Sequence, residues 1–245
     1  MHWESYYVRP QDVNENRVFF QDDEVRHLSR VQRHKRGDVV WAVNGQGVAY
    51  EVELVHVGRN EAYGDILSTR RRIGEPVADV TLVQGVLKGD RFDWLVEKAT
   101  EIGVRRIIPL ESENAVVQGG SNKVARWQRI ALAAMKQSGR SVLPEITQPK
   151  AWKQILGLGV NCQYRFIAEA SPESRPLSIA HTEGAVVTPH AILIVGPEGG
   201  FTSAEFEEAV EHAFIPVHLG GRRLRAETAG LVLSSLVLHQ LGEMQ

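Results

Sequence analysis

Residues 195–206 read VGPEGGFTSAEF. The apolar run Ala191 to Ile194 before them is short enough for a buried strand, and Ala204 to Phe214 after them has helical spacing. The join is therefore strand, glycine loop, helix. Such joins cradle anions, because glycine lets backbone N–H groups approach at the positive end of a helix. Here, however, Pro197 has no N–H to give and Glu198 brings a repelling charge. No lysine follows the glycines as in a Walker loop, and the G-x-G-x-x-G spacing is missing. A ligand with an apolar purine face, hydroxyls and a cation suits exposed backbone beside a carboxylate better than a polyphosphate does. The same residues also fit a plain turn, with Gly199-Gly200 reversing the chain and Glu198 capping the next helix.

A second stretch of this kind runs Leu219-Gly220-Gly221-Arg222-Arg223-Leu224-Arg225-Ala226-Glu227-Thr228-Ala229. It too follows a short strand and precedes a helix, so two glycine-containing loops share one edge of a sheet, where α/β proteins bind ligands. A solvated loop in which Arg225 pairs with Glu227 is the alternative. Between Arg26 and Arg36 the chain holds Arg26, Arg30, Arg33, Lys35 and Arg36 with His27, His34 and no acid. Val25, Leu28 and Val31 pack inward from the same turns and leave the bases facing solvent, either as a solvated face or as a phosphate-binding one. Lys123, Arg126 and Arg129 beside Trp127 fit either description as well.

Other chemistry finds little support. The nine histidines lack metal-ligand spacing and the lone Cys162 gives no thiolate cluster, so no metal is expected. Ser234-Ser235 has no neighbouring His and Asp, so its hydroxyls are expected on backbone carbonyls. Trp94 and Trp127 read as core or interface residues.

These loops need elements to hold them. From Tyr6 to about Leu67, short β-rich runs (Val18 to Phe20, Val39 to Val43, Val48 to Val57) are broken by turn signals such as Asn44-Gly45-Gln46-Gly47. Ser68 to Pro76 is polar and breaker-rich, and reads as a linker. Beyond it strands are expected at Val80 to Val86, Val104 to Leu110, Tyr164 to Ala168, His190 to Val195 and Val217 to Leu219. Helices are expected from an Asp90 cap to Gly103 and at about 123–138, 149–156, 202–213 and 227–240. Thr202 and Glu205 form a capping box. Strands alternating with helices predict a parallel α/β sheet covered on both faces.

At 245 residues, 43% apolar and net charge −2, the chain has ample core and is no globally basic nucleic-acid wrapper. One cysteine, no apolar run of about 20 residues and no basic-then-apolar leader point to a soluble, cytoplasmic protein without a membrane segment.

Gly196-Pro197-Glu198-Gly199-Gly200, then Leu219-Gly220, Leu224-Arg225 and Glu227-Thr228-Ala229, resemble the bacterial 16S rRNA uridine N3-methyltransferases of the SPOUT superfamily. Lys88-Gly89-Asp90, the run Glu97 to Gly103, Ile108-Pro109-Leu110, Gln137-Ser138-Gly139-Arg140 and Arg26-His27-Leu28 match that family too, in the right order along nearly the whole chain. The resemblance implies an α/β fold class: a C-terminal SPOUT domain, 73–245, with a parallel sheet and a trefoil knot, and a small N-terminal PUA-like β-barrel, 1–72, that helps hold RNA. It implies S-adenosylmethionine as cofactor, held by Ala168, Val195, Gly196, Glu198, Gly199, Gly200, Leu219, Gly220, Leu224, Arg225 and Thr228. The implied reaction is methylation of N3 of a specific uridine, uracil-1498, in 16S rRNA of the small ribosomal subunit. Arg9, Arg26, Arg30, Arg33, Lys35 and Lys88 would contact RNA. Arg225 is the first candidate to stabilise the uracil anion, with Arg140 from a partner subunit, and Glu198 is either the proton acceptor or a brace for its loop. A homodimer is implied, with neither metal nor membrane as partner. The chain departs from the family's pattern at Asn114, where relatives carry arginine, at Gln32 (leucine), at Arg223 (isoleucine or valine), and at Ser5, near an N-terminal arginine that Arg9 replaces. A nonenzymatic RNA-binding or assembly protein and a nucleotide-phosphate enzyme are the rival functions.

Overall fold

The computed structural model describes residues 5–114, 121–179 and 188–244. The chain forms two compact units, one of residues up to Glu75 together with Leu132–Leu143, the other of Pro76–Ala131 and Pro144 onward.

In the first unit, β1 (Ser5–Tyr7), β2 (Arg17–Phe20), α1 (Asp22–Arg26), β3 (Val39–Val43), β4 (Val48–Val57) and β5 (Ala62–Arg71) follow in sequence. The strands lie in the order β1-β3-β4-β5-β2, antiparallel except for β1 on β3. Register shifts between Glu51 and Val52 and between Leu54 and His56 bend the long β4–β5 ribbon. Alternate residues such as Val18, Phe20, Val40, Val52 and Leu54 fill the core with Leu28. The expected linker is partly strand. Ser68 to Arg71 pair with β4, because a solvent-facing edge of a ribbon tolerates the same charges that mark a loop. Glu75, beyond it, is buried. Its Oε2 takes Arg140 Nη2 at 2.7 Å and its Oε1 accepts from the N–H groups of Ser141 and Val142, each at 2.9 Å.

The second unit contains β6 (Asp79–Gly85), α2 (Arg91–Glu101), β7 (Arg106–Glu111), the start of α3 (Ser121–Gln137), β8 (Glu145–Ile146), β9 (Lys150–Ala151), α4 (Trp152–Leu158), β10 (Tyr164–Ala168), β11 (Arg175–Pro176), β12 (His190–Val195), α5 (Ser203–Glu211), β13 (Ile215–His218) and α6 (Ala226–Gln240). The sheet order is β11-β13-β10-β12-β6-β7-β8, with β9 also on β7, and every pairing is parallel. Ile192 and Ile194 pack with Ile155 and Leu156 of α4 and Ala209 of α5. Alternation leaves Ala191 and Leu193 for the other face, where α6 meets β12, β6 and α2. After β13 the chain thus returns from beyond β10 to cover β12 and β6, the return path that the expected knot would use.

The expected elements fall within a few residues of those found. β13 begins two residues earlier than expected, at Ile215, and α4 begins at Trp152. Asp90 occupies the cap position of α2 without capping it; its carboxylate accepts from Arg126 Nη2 at 3.3 Å instead. Gly103, at φ +106°, ends that helix as expected.

Candidate functional site

The first glycine loop leaves the carboxyl end of β12. Gly200 N–H bonds the Pro197 carbonyl at 2.9 Å and closes a turn, with Gly200 at φ +70°. Beneath it, at the end of β6, a Cβ on Gly85 would collide with the Pro197 nitrogen, so only glycine fits. Gln84, fully buried, donates from Nε2 to the Gly196 carbonyl at 3.3 Å. The capping box forms as expected: Thr202 Oγ1 accepts from Glu205 N–H at 3.2 Å, and Glu205 Oε2 accepts from Thr202 N–H at 2.9 Å.

Glu198 does not cap α5. Its Oε1 accepts from Arg91 Nη1 at 2.9 Å and from Lys88 N–H at 3.4 Å, so it ties the loop to the start of α2. Its Oε2 is buried without a hydrogen-bond partner among the described residues.

The second loop leaves β13. Gly220, at φ +94°, donates its N–H to His218 Nδ1 at 3.3 Å. Arg225 stands at the cap position of α6 with its side chain exposed. The pair between Arg225 and Glu227 is not formed among the described residues. Glu227 is 6% exposed, so the first turn of α6 sends the two side chains to different environments.

Between the loops opens a cavity of about 1010 Å³. It brings together Ala168, Val195, Gly196, Glu198, Gly199, Gly200, Leu219, Gly220, Leu224 and Arg225. Thr228 is not among the lining residues, whereas Ala226 and Ala229 are, because only one face of α6 borders the space. Sequence reasoning missed Glu169 and Ser171 past the end of β10, Arg91, Phe201 and His218. For Glu169 the only signal is topological: β10 lies between β12 and β13, so its end opens onto both loops. The wall mixes Arg91, Arg222, Arg223 and Arg225 with Glu169, Glu173, Glu198 and Glu207, a balance that does not favour a polyphosphate.

The Arg140 side chain is 2% exposed and held by Glu75 inside the first unit, where it braces the turn after α3; it does not line the cavity of its own chain. The other basic candidates of the first unit are exposed. Arg30, Arg33 and Lys35 face solvent, while Arg9 pairs with Asp12 at 2.6 Å and Arg26 with Asp23 at 3.3 Å. Lys35 N–H and His34 hold the Asp38 carboxyl below its ordinary range and fix the turn that presents Lys35. Val25 and Leu28 pack inward but Val31 is 62% exposed. Gln32 N–H bonds the His27 carbonyl five residues back, and this widened turn rotates Val31 outward.

Trp127 is buried against Phe92, at 4.2 Å between rings, and donates to Asp93 at 3.0 Å, whereas Trp94 is 45% exposed. Ser234 Oγ donates to the Gly230 carbonyl at 2.8 Å, as expected. Among the described residues no cluster of three or more His, Cys, Asp or Glu could hold a metal, and no helix is long and apolar enough to cross a membrane.

Residues 74–238 match the family described as RNA methyltransferase domain, and residues 20–67 the one described as RNA methyltransferase PUA domain. Over 225 residues the chain is 30% identical to the ribosomal RNA small subunit methyltransferase E of Synechocystis, covering 92% of this chain and 74% of that one. It is 29% identical to the protein of the same description from Bacillus subtilis, covering 89% and 88%. It superposes at TM-score 0.85 and 29% identity on the crystal structure of a ribosomal RNA small subunit methyltransferase E from Neisseria gonorrhoeae bound to S-adenosyl methionine, covering 97% and 98% of the two chains.

Proposed function

The chain belongs to the family of ribosomal RNA small subunit methyltransferases E, and from this premise we propose that it methylates N3 of one uridine, uracil-1498, in 16S rRNA, using S-adenosylmethionine. The observation that carries this reading is the cavity bordered by both glycine loops. Its volume lies at the upper end of small-molecule sites, its rim offers bare backbone at Gly200 and Gly220, and its carboxylates suit a cationic ligand. The backbone of 195–200 and 219–220, with Ala168 and Leu224, would hold the cofactor, which when bound supplies an electrophilic methyl group.

The protein's own task is then positioning and charge. N3 of uracil is the nitrogen of a weakly acidic imide, and its anion spreads onto O2 and O4. Arg225, exposed at the cavity and engaged by no protein group among the described residues, is the donor for that anion. Glu198 acts as a brace, since Arg91 and Lys88 already occupy its Oε1. Arg30, Arg33 and Lys35 supply phosphate contacts from the first unit.

A homodimer is part of the proposal. α6 is apolar nearly all round, yet Leu236 remains 38% exposed and Trp94 of α2, which packs beside α6, 45%. A helix of that composition calls for cover on more than one side. The ribosomal substrate makes the cytoplasm the site of action.

Methyl transfer to small-subunit particles, read by mass spectrometry of the rRNA, tests the reaction. Binding of the particles without transfer would favour the assembly-protein reading. Reversing Arg30 and Arg33 to Glu is expected to abolish transfer at ordinary salt, restore part of it at low salt and leave cofactor affinity unchanged. Wild-type transfer across the salt series would remove this segment from the RNA surface.

A further inference from the structure

Glu205 is 4% exposed and does not line the cavity. A capping box needs one of its oxygens: Oε2 accepts from the N–H of Thr202 at 2.9 Å and from its hydroxyl at 3.3 Å. The other oxygen serves a different part of the chain. Oε1 accepts from the N–H of Glu113, just past the end of β7, at 3.1 Å. The next residue continues the seam. Asn114 Nδ2 approaches the carbonyls of Gly199 and Gly200 at 3.4 and 3.5 Å, and a Cβ on Gly199 would sit 3.1 Å from Asn114 Cβ and 3.2 Å from its carbonyl oxygen. One buried carboxylate therefore joins the glycine loop to the end of a strand far away in sequence.

We propose that Glu205 is a positioning residue for cofactor binding, latching the 199–202 arm of the glycine loop to residues 113–114 through the oxygen that the helix cap does not use. This rests on the glycine loop being the cofactor's cradle. The chemistry of the latch is specific to a carboxylate, which accepts at both oxygens and donates at neither. Glutamine has the same shape and still makes a capping box. It can accept from Thr202 or from Glu113, but its NH₂ then confronts the other N–H, so one link is lost while the fold is kept.

Calorimetric titration of the full-length protein with S-adenosylmethionine tests this. Glu205→Gln is expected to raise the dissociation constant about tenfold, which equals about 1.4 kcal/mol. The value of kcat at saturating cofactor and KM for small-subunit particles should stay near wild type. Asn114→Ala, which removes the amide but keeps the Cβ packed on Gly199, is expected to weaken the cofactor about threefold. Ala209→Gly weakens α5 from a buried position outside the cavity wall and outside the hydrogen bonds of the latch, and should lower the thermal midpoint with unchanged cofactor affinity. Affinity within twofold of wild type in both Glu205→Gln and Asn114→Ala overturns the latch. So does an equal loss in Ala209→Gly, which would make the effect one of helix stability. Failure of the wild-type protein to bind S-adenosylmethionine would instead overturn the cofactor reading on which the latch rests.

Discussion

The two loops that border the cavity leave the same edge of the same sheet and both lead into helices, yet they are held in opposite ways. In the loop of 196–202 nearly every residue is engaged: Gln84 holds Gly196, Arg91 holds Glu198, Asn114 reaches Gly199 and Gly200, and Glu205 holds Thr202. In the loop of 219–225, Gly220 bonds His218, and the side chains of Arg222, Arg223 and Arg225 make no hydrogen bond or ion pair among the described residues. The difference follows from side-chain chemistry. The first loop carries acceptors, Glu198 and the Thr202–Glu205 box, and neighbouring elements supply donors. The side chains of the second carry only donors, and the buried Glu227 beside them takes none among the described residues. A fixed cradle and a set of uncommitted cations are what a site needs if it is to hold one ligand still and receive an anion as the second.

Removing Arg225 strikes hardest at that contrast. Arg225→Ala is expected to lower kcat for methyl transfer about 100- to 1,000-fold, the cost of losing one donor aimed at a developing anion. Calorimetry should find S-adenosylmethionine affinity little altered; an equal loss of binding would make Arg225 part of the cradle. The complementary change, Gly199→Val, forces a branched side chain into space held by Asn114. Overpacking costs about 1–3 kcal/mol, so the melting midpoint should fall. Cofactor affinity should drop about tenfold or more if the loop's fixed shape is what binds. A lowered midpoint with native affinity would show that the cradle does not need its fixed shape. Arg222→Gln combined with Arg223→Gln should spare the cofactor and weaken RNA binding, making the dependence of log K on log salt shallower by about one to two units. An unchanged slope would place these arginines away from phosphate. The smallest effect is expected for Gly220→Ala, whose methyl meets no atom within 4 Å but whose φ of +94° is unfavourable for alanine. Denaturant unfolding should register about 1 kcal/mol, and a much larger loss would mean that the second loop is as tightly built as the first.

What was legible in the sequence was mostly local. The Thr202–Glu205 box, the glycine that ends α2 and the back-bonding of Ser234 each depend on residues three or four apart, so spacing alone reveals them. The position of both loops was legible because the strands before them are short apolar runs. Most of what anchors the first loop was not. Glu198 with Arg91, Glu205 with Glu113, and Gln84 with Gly196 are joined only after parallel pairing has set β6 beside β12 and β7 beside β6. Glu169 enters the cavity wall by the same route. Where a local rule failed, a tertiary partner or a change of helical pitch had intervened: Asp90 was drawn to Arg126, and Val31 was turned outward by a widened turn. Ser68 to Arg71 passed for a linker because their polarity was read without the strand that pairs with them.

The buried pair of Glu75 and Arg140 also bears on the order in which the chain can finish folding. A protein is synthesised from its N-terminus, and leading domains commonly fold while the rest is still being made. Here the carboxylate emerges first and waits for its guanidinium, together with the Ser141 and Val142 amides, until the intervening strands and helices of the other unit have been produced. An isolated buried charge is strongly unfavourable, so the first unit is expected to lack this pair, with the Glu75 carboxylate in water, through that interval. Cutting the gene after residue 75 should reproduce the same incomplete species, whereas appending residues 132–143 to that fragment supplies the missing partner.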